Sequence, residues 1–87
     1  MKAKLASGFE AEINEENIES WEFLKAIRKV DKGDVAQIVD VAEMMLGSEE
    51  EVDRLADHLK ETKGSATVEA MAEAIQELMN TANEVKN

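Results

Sequence analysis

Along the first thirteen residues, apolar and polar positions alternate. Ala3 and Leu5 share one parity with Phe9, Ala11 and Ile13, while Lys2, Lys4, Glu10 and Glu12 take the other. Such alternation is the pattern of a strand with one covered face. A two-residue turn at Ser7-Gly8 would set Leu5 opposite Glu10 and mix the faces. A three-residue loop, Ala6-Ser7-Gly8, sets Leu5 opposite Phe9 and Ala3 opposite Ala11 instead. That longer loop wants glycine at its last, left-handed position, and Gly8 stands there. An isolated hairpin is marginal in water, so its apolar face is expected to lie on helices or to extend another sheet.

From Asn14 onward the period becomes helical. Asn14 is a good N-cap, and Glu15, Glu16 and Glu19 suit the positive end of a helix. Ile18, Trp21, Leu24, Ile27 and Val30 recur along one side, with Phe23 widening the stripe; both aromatics are expected in the core. Lys25, Arg28, Lys29 and Lys32 fill the last turns, and Gly33 stops the helix. Asp34 is positioned to cap a second helix carrying Val35, Ile38, Val39, Ala42, Met45 and Leu46, ending at Gly47. Ser48-Glu49-Glu50-Glu51 fits a capping box opening a third, with Val52, Leu55, Ala56 and Leu59 as its stripe, ending near Gly64. Thr67, with Ser65 as the other candidate, caps a fourth. There Val68, Met71, Ile75, Leu78, Ala82 and Val85 form a heptad-like seam. Every glycine falls between elements and proline is absent. Pattern, caps and breakers agree on a mainly α, four-helix single domain over 1–87, with a short β-hairpin at 1–13 and helices over 14–87. Counting the hairpin makes it α+β.

Size and charge narrow the function. A chain of 87 residues buries only about 60–65% of the surface its unfolded form exposes. With no cysteine and one histidine, it relies on packing, caps or a partner, and suits a reducing compartment. Lys2 and Lys4 are followed by no apolar run, so Met1–Gly8 does not read as a signal peptide. Met44-Met45-Leu46 is the longest strongly apolar run, against the roughly 20 residues a membrane span needs. A cytoplasmic protein is expected. Twenty acidic against ten basic residues leave a net charge of -10, spread over the last two thirds of the chain. Nucleic-acid binding requires a basic patch, and an anionic membrane surface would repel this chain. A basic protein is the complementary partner.

Candidate chemistry is thin. His58 has no second histidine or cysteine for company, and reads as a boundary residue beside Asp57. Asp31-Lys32-Gly33-Asp34 opens like a calcium loop, but its fifth position is Val35 and its twelfth Ala42, where the loop needs ligands. Glu49-Glu50-Glu51 reads as a helix first turn. An acidic four-helix domain of this length also resembles phosphopantetheine carrier proteins, yet the helix-start serine, Ser48, lies between Gly47 and Glu49 rather than in an Asp-Ser-Leu context. No phosphate loop or nucleophile motif is present. A non-enzyme without cofactor or metal is expected.

What remains is apolar surface. Met44-Met45-Leu46 spans most of a helical turn, and Met79 sits beside the fourth-helix seam. Methionine adapts to varied partners, and an apolar helix face is a common docking device. Met44, Met45, Leu78 and Met79 are therefore the candidate partner-binding residues, with core filling as their plainer role. The seam is also a candidate for self-association.

The order of pieces resembles a known family. A Ser-Gly-Phe-Glu turn (Ser7–Glu10) precedes the aromatic-bearing helix Trp21-Glu22-Phe23-Leu24-Lys25-Ala26-Ile27. Met45-Leu46-Gly47-Ser48-Glu49-Glu50 follows, and Gly64-Ser65-Ala66-Thr67-Val68-Glu69-Ala70-Met71 opens the last helix. This is similar to the small tail assembly chaperones of tailed phages and prophages of Gram-positive bacteria. The resemblance implies a non-catalytic protein that escorts the long helical tape-measure protein while tail-tube subunits assemble around it in the host cytoplasm. Such families often also make a longer form by ribosomal frameshifting. The alternative from another class is an acidic regulatory module that mimics nucleic acid or blocks a basic protein.

Overall fold

The computed structural model describes the backbone of residues 1–86 and the side chains of residues 1–82. Two short strands, β1 (Lys2–Lys4) and β2 (Glu10–Glu12), are followed by α1 (Glu15–Ile18), α2 (Trp21–Asp31), α3 (Gln37–Leu46), α4 (Glu49–Lys63) and α5 (Val68–Lys86). The chain is mainly helical, with an N-terminal antiparallel hairpin.

The hairpin has the expected register. Ala3 pairs with Ala11, flanked by Lys2 with Glu12 and Lys4 with Glu10. Leu5 N–H donates to Phe9 O at 2.8 Å, and Gly8 N–H closes the turn onto Leu5 O at 2.9 Å. Gly8 has φ of +106°, a region that side-chain-bearing residues avoid. Ala3, Leu5, Phe9, Ala11 and Ile13 are all buried, so the alternation buries one complete parity. β1 lies along α5, where Thr81 Oγ1 donates to Lys4 O at 3.3 Å and Ala6 N–H donates to Glu77 Oε2 at 3.2 Å. At the other edge, Arg54 Nη2 donates to Glu10 O at 2.8 Å. Side chains thus occupy backbone groups on both edges, which otherwise invite pairing with another chain. The amino terminus meets Glu12 at 2.7 Å, and its hydrogen bond and charge hold the Glu12 carboxyl below its ordinary value.

The expected first helix is two helices. Asn14 Oδ1 accepts from Asn17 N–H at 2.9 Å as the cap of α1, but α1 ends after one turn. Ser20 then caps α2: its hydroxyl accepts from Phe23 N–H at 3.1 Å and donates to Asn17 O at 2.7 Å. The break answers a need at the end of α3, whose last carbonyls have no intrahelical donor. Met44 O accepts from Asn17 Nδ2 at 3.0 Å, and Met45 O from Asn14 N–H at 2.9 Å.

α2 closes with two backbone hydrogen bonds: Asp34 N–H donates to Lys29 O at 2.9 Å, and Gly33 N–H to Val30 O at 3.0 Å. This is the Schellman pattern. It also corrects the expected start of α3. Asp34 belongs to the closure of α2, and the chain enters α3 through a tight turn with Gln37, Ile38 and Val39 N–H bonded three residues back. The remaining boundaries stand as read. Ser48 Oγ accepts from Glu51 N–H at 3.3 Å and Thr67 Oγ1 from Ala70 N–H at 3.0 Å, while Gly47 and Gly64 are left-handed caps.

α3 packs against α1, α2 and α4. Ile13, Met45, Leu55, Leu59 and Leu78 are the largest fully buried side chains, so hairpin, α3, α4 and α5 share one core. Among the described residues no polar or charged side chain is buried. The radius of gyration, 12.1 Å, matches the roughly 12 Å of one compact body of this length.

Candidate functional site

Two expectations about the core are corrected. Phe23 is buried, but Trp21 is 68% and Leu24 57% exposed. The reason is angular. Ile18, Trp21, Leu24, Ile27 and Val30 are spaced three apart throughout, and each such step falls about 60° short of a full turn. The row winds around the helix instead of running along it. Burial follows Phe23, Ala26 and Val30, spaced three and four, with Ile27 beside them.

The second correction concerns the residues expected to dock a partner. Met45 and Leu78 have no exposure at all and belong to the core cluster. Met44 is half-buried beside α1, its carbonyl held by Asn17. Of the four, Met79 alone lines an open groove. The α5 seam is likewise spent inside the chain: Ile75, Leu78 and Ala82 are buried, Met71 is half-buried and Val68 is exposed. Val85 lies outside the residues whose side chains are described.

The open apolar surface is centred on α3. One groove, about 150 Å³, lies between α2, α3 and α5 and is lined by Phe23, Ile27, Val30, Ile38, Ile75 and Met79 among others, with Asp31 at its edge. A second, about 130 Å³, lies between α3, α4 and α5 over Val35, Ile38, Val39, Val52, Val68 and Met71. Ile38 belongs to both, so the grooves are neighbours on one face. Val35, Val39 and Val68 are each 57–59% exposed. Small-ligand pockets typically run from roughly 300 Å³ upward, whereas a cavity near 150 Å³ takes one benzene-sized group. These grooves therefore suit single side chains presented by another chain.

This site was within reach of the sequence. Between Val35 and Leu46 only Gln37, Asp40 and Glu43 are polar. At 100° per residue they cluster in one stripe, leaving roughly two thirds of the circumference apolar. Neighbouring helices in a domain this small cover only part of so wide a face.

A polar cluster sits between the hairpin turn and α4. His58, half-buried on α4, has Nε2 2.9 Å from Ser7 Oγ, and its ring centroid is 5.4 Å from that of Phe9. The Arg54 guanidinium lies 4.5 Å above Phe9 and is held by Glu51 Oε2 at 2.8 and 3.1 Å. A serine–histidine contact of that length is the first half of a nucleophile–base arrangement. Among the described residues, nothing orients the other ring nitrogen, and Gly8 N–H is committed to the turn. The cluster clamps the hairpin turn onto α4. A further hollow of about 370 Å³ over Lys2, Lys4, Glu10, Glu12 and Thr81 is rimmed by the hairpin's own charge pairs. Its apolar lining residues, Ala3 and Ala11, are both buried.

No group of three or more metal-ligating side chains comes together among the described residues, and no helix is long and apolar enough to cross a membrane. Comparison with family models, curated proteins and solved structures finds no match to this chain.

Proposed function

We propose that this chain is a non-catalytic protein-binding domain that holds helical segments of a client. The supporting observation is the pair of side-chain-sized apolar grooves meeting at Ile38, next to three valines left more than half exposed. Contiguous apolar surface on a small acidic domain marks an interaction site, and helix-in-groove docking uses anchors at helical spacing. The resemblance of the sequence to small phage tail assembly chaperones supplies the identity of the client, a long helical tape-measure protein. In that role a net charge of -10 keeps the complex dispersed while the grooves cover the client's apolar stripe.

The test is co-expression with a tape-measure protein, comparing the wild-type chain with a Val39→Lys, Met79→Lys double variant. The wild type is expected to carry the client into the soluble fraction and the double variant to lose most of that effect. A client equally insoluble with and without the wild-type chain would refute the tape-measure assignment.

A further inference from the structure

The groove between α3, α4 and α5 has an apolar floor and an acidic frame. Val35, Ile38, Val39, Val52, Val68 and Met71 line it without a polar side chain among them. On a helix, residues three and four apart share a face. Glu43 lies one turn beyond Val39 on α3 and Glu49 one turn before Val52 on α4, each on a face shared with a groove residue, whereas Asp53 and Glu69, next to Val52 and Val68 in sequence, lie about 100° round their helices. No lysine or arginine occurs from Asp34 to Asp53, nor from Gly64 to Val85. Among the described residues the ion pairs lie elsewhere: the amino terminus with Glu12, Lys4 with Glu10, Arg54 with Glu51, Lys60 with Asp57 and Lys63 with Glu73. Among the described residues, Glu43, Glu49, Asp53 and Glu69 have no ion-pair partner.

Resting on the reading of this face as a client-binding surface, we propose that this groove takes a cationic amphipathic helix. The occupant inserts apolar side chains at i, i+3 or i+4 between the exposed valines and sets lysines or arginines against the unpaired carboxylates. Charge selects this occupant over the others. A second copy meeting the same face by two-fold symmetry would bring identical carboxylates together. Nucleic acid and anionic membranes are repelled by the same frame. α3 runs ten residues, about 15 Å at 1.5 Å per residue, so about three turns of the occupant lie along it, with a single apolar side chain seated in the groove.

The experiment uses the full chain and three synthetic helical peptides of about 14 residues. One has a leucine face and a lysine face, the second the same leucines with glutamates, and the third is a scramble of the first. Labelled-peptide anisotropy measures affinity, and amide chemical shifts locate the contact. The lysine peptide is expected to bind with shifts at Val35, Val39 and Val68, to weaken with added salt, and to bind at least about tenfold more tightly than the glutamate peptide (a difference of one decade in Kd). Val39→Lys is expected to lose about tenfold at unchanged helicity. Glu49→Lys with Asp53→Lys is expected to erase the preference for the lysine peptide while leaving the apolar contact.

Equal binding of the lysine and glutamate peptides, binding of the scramble, or shifts confined to the hairpin would overturn the proposal. So would sedimentation showing a dimer that Val39→Lys dissolves, because the groove would then be filled by a second copy. The co-expression test separates this from the broader reading. Client solubilised without lysine-peptide binding removes the cationic helix alone. Peptide bound without client solubilised removes the tape-measure assignment alone.

Discussion

Residues that look interchangeable in the sequence differ by their cover. Met44 and Met45 are neighbours, but Met45 is fully buried while Met44 is half-open. Met45→Ala and Leu78→Ala are each expected to cost about 2–5 kcal/mol, the range for emptying a packed core site. Chemical denaturation measures it. Val39→Ser, on the exposed side of the same helix, is expected to stay within about 0.5 kcal/mol of wild type. If Val39→Ser unfolds the domain as readily as Met45→Ala, the division between core and docking face is wrong. Glu12 makes a separate prediction. Its folded pKa is lowered by the amino terminus, so the stability it contributes is present above its unfolded pKa and is lost as pH falls through the folded value. In an NMR titration of the side-chain carboxyls, Glu12 should titrate below the ordinary glutamate value, and Glu12→Gln should remove that low-pH phase.

At the scale of the element, boundaries were legible wherever a cap or glycine acts on its own few residues. Gly8, Ser48 and Thr67 do what their local chemistry dictates. The break between α1 and α2 was not legible. Asn14, the cap of α1, and Asn17, within it, donate to carbonyls of Met45 and Met44, about thirty residues away in the chain. Ser20→Ala should cost about 1 kcal/mol, as loss of an N-cap does, and should increase amide exchange at Phe23 and in α1 before it affects α4. Gly47→Ala should cost about 1–2 kcal/mol for a left-handed backbone, since φ there is +91° although the nearest atom to the added carbon's position, Asn14 Nδ2, is at an ordinary 4.0 Å.

For the whole molecule, charge and cover work against each other. Self-repulsion at -10 destabilises a compact state, and salt screens it. The thermal midpoint is expected to rise with sodium chloride, with each kcal/mol gained worth roughly 4–8 °C in a domain this size. Binding of a cationic helix should show the opposite salt dependence. A folding midpoint and a peptide affinity that moved in the same direction would mean that the acidic frame is not the binding determinant.

The hairpin register, the helical composition and most stops follow from the sequence by itself, because alternation, left-handed glycines and N-caps act within a few residues. The candidate site was legible only in part. The sequence marked α3 and the last helix as too apolar to ignore, and Met79 as lying at the edge. Which apolar residues stay uncovered was decided by the tertiary structure. Met45 and Val39 belong to the same helical face pattern in one dimension, and only the positions of α2, α4 and α5 around α3 separate them. Burial depends on what stands opposite a side chain, and that is set by packing between distant segments, which periodicity alone does not carry.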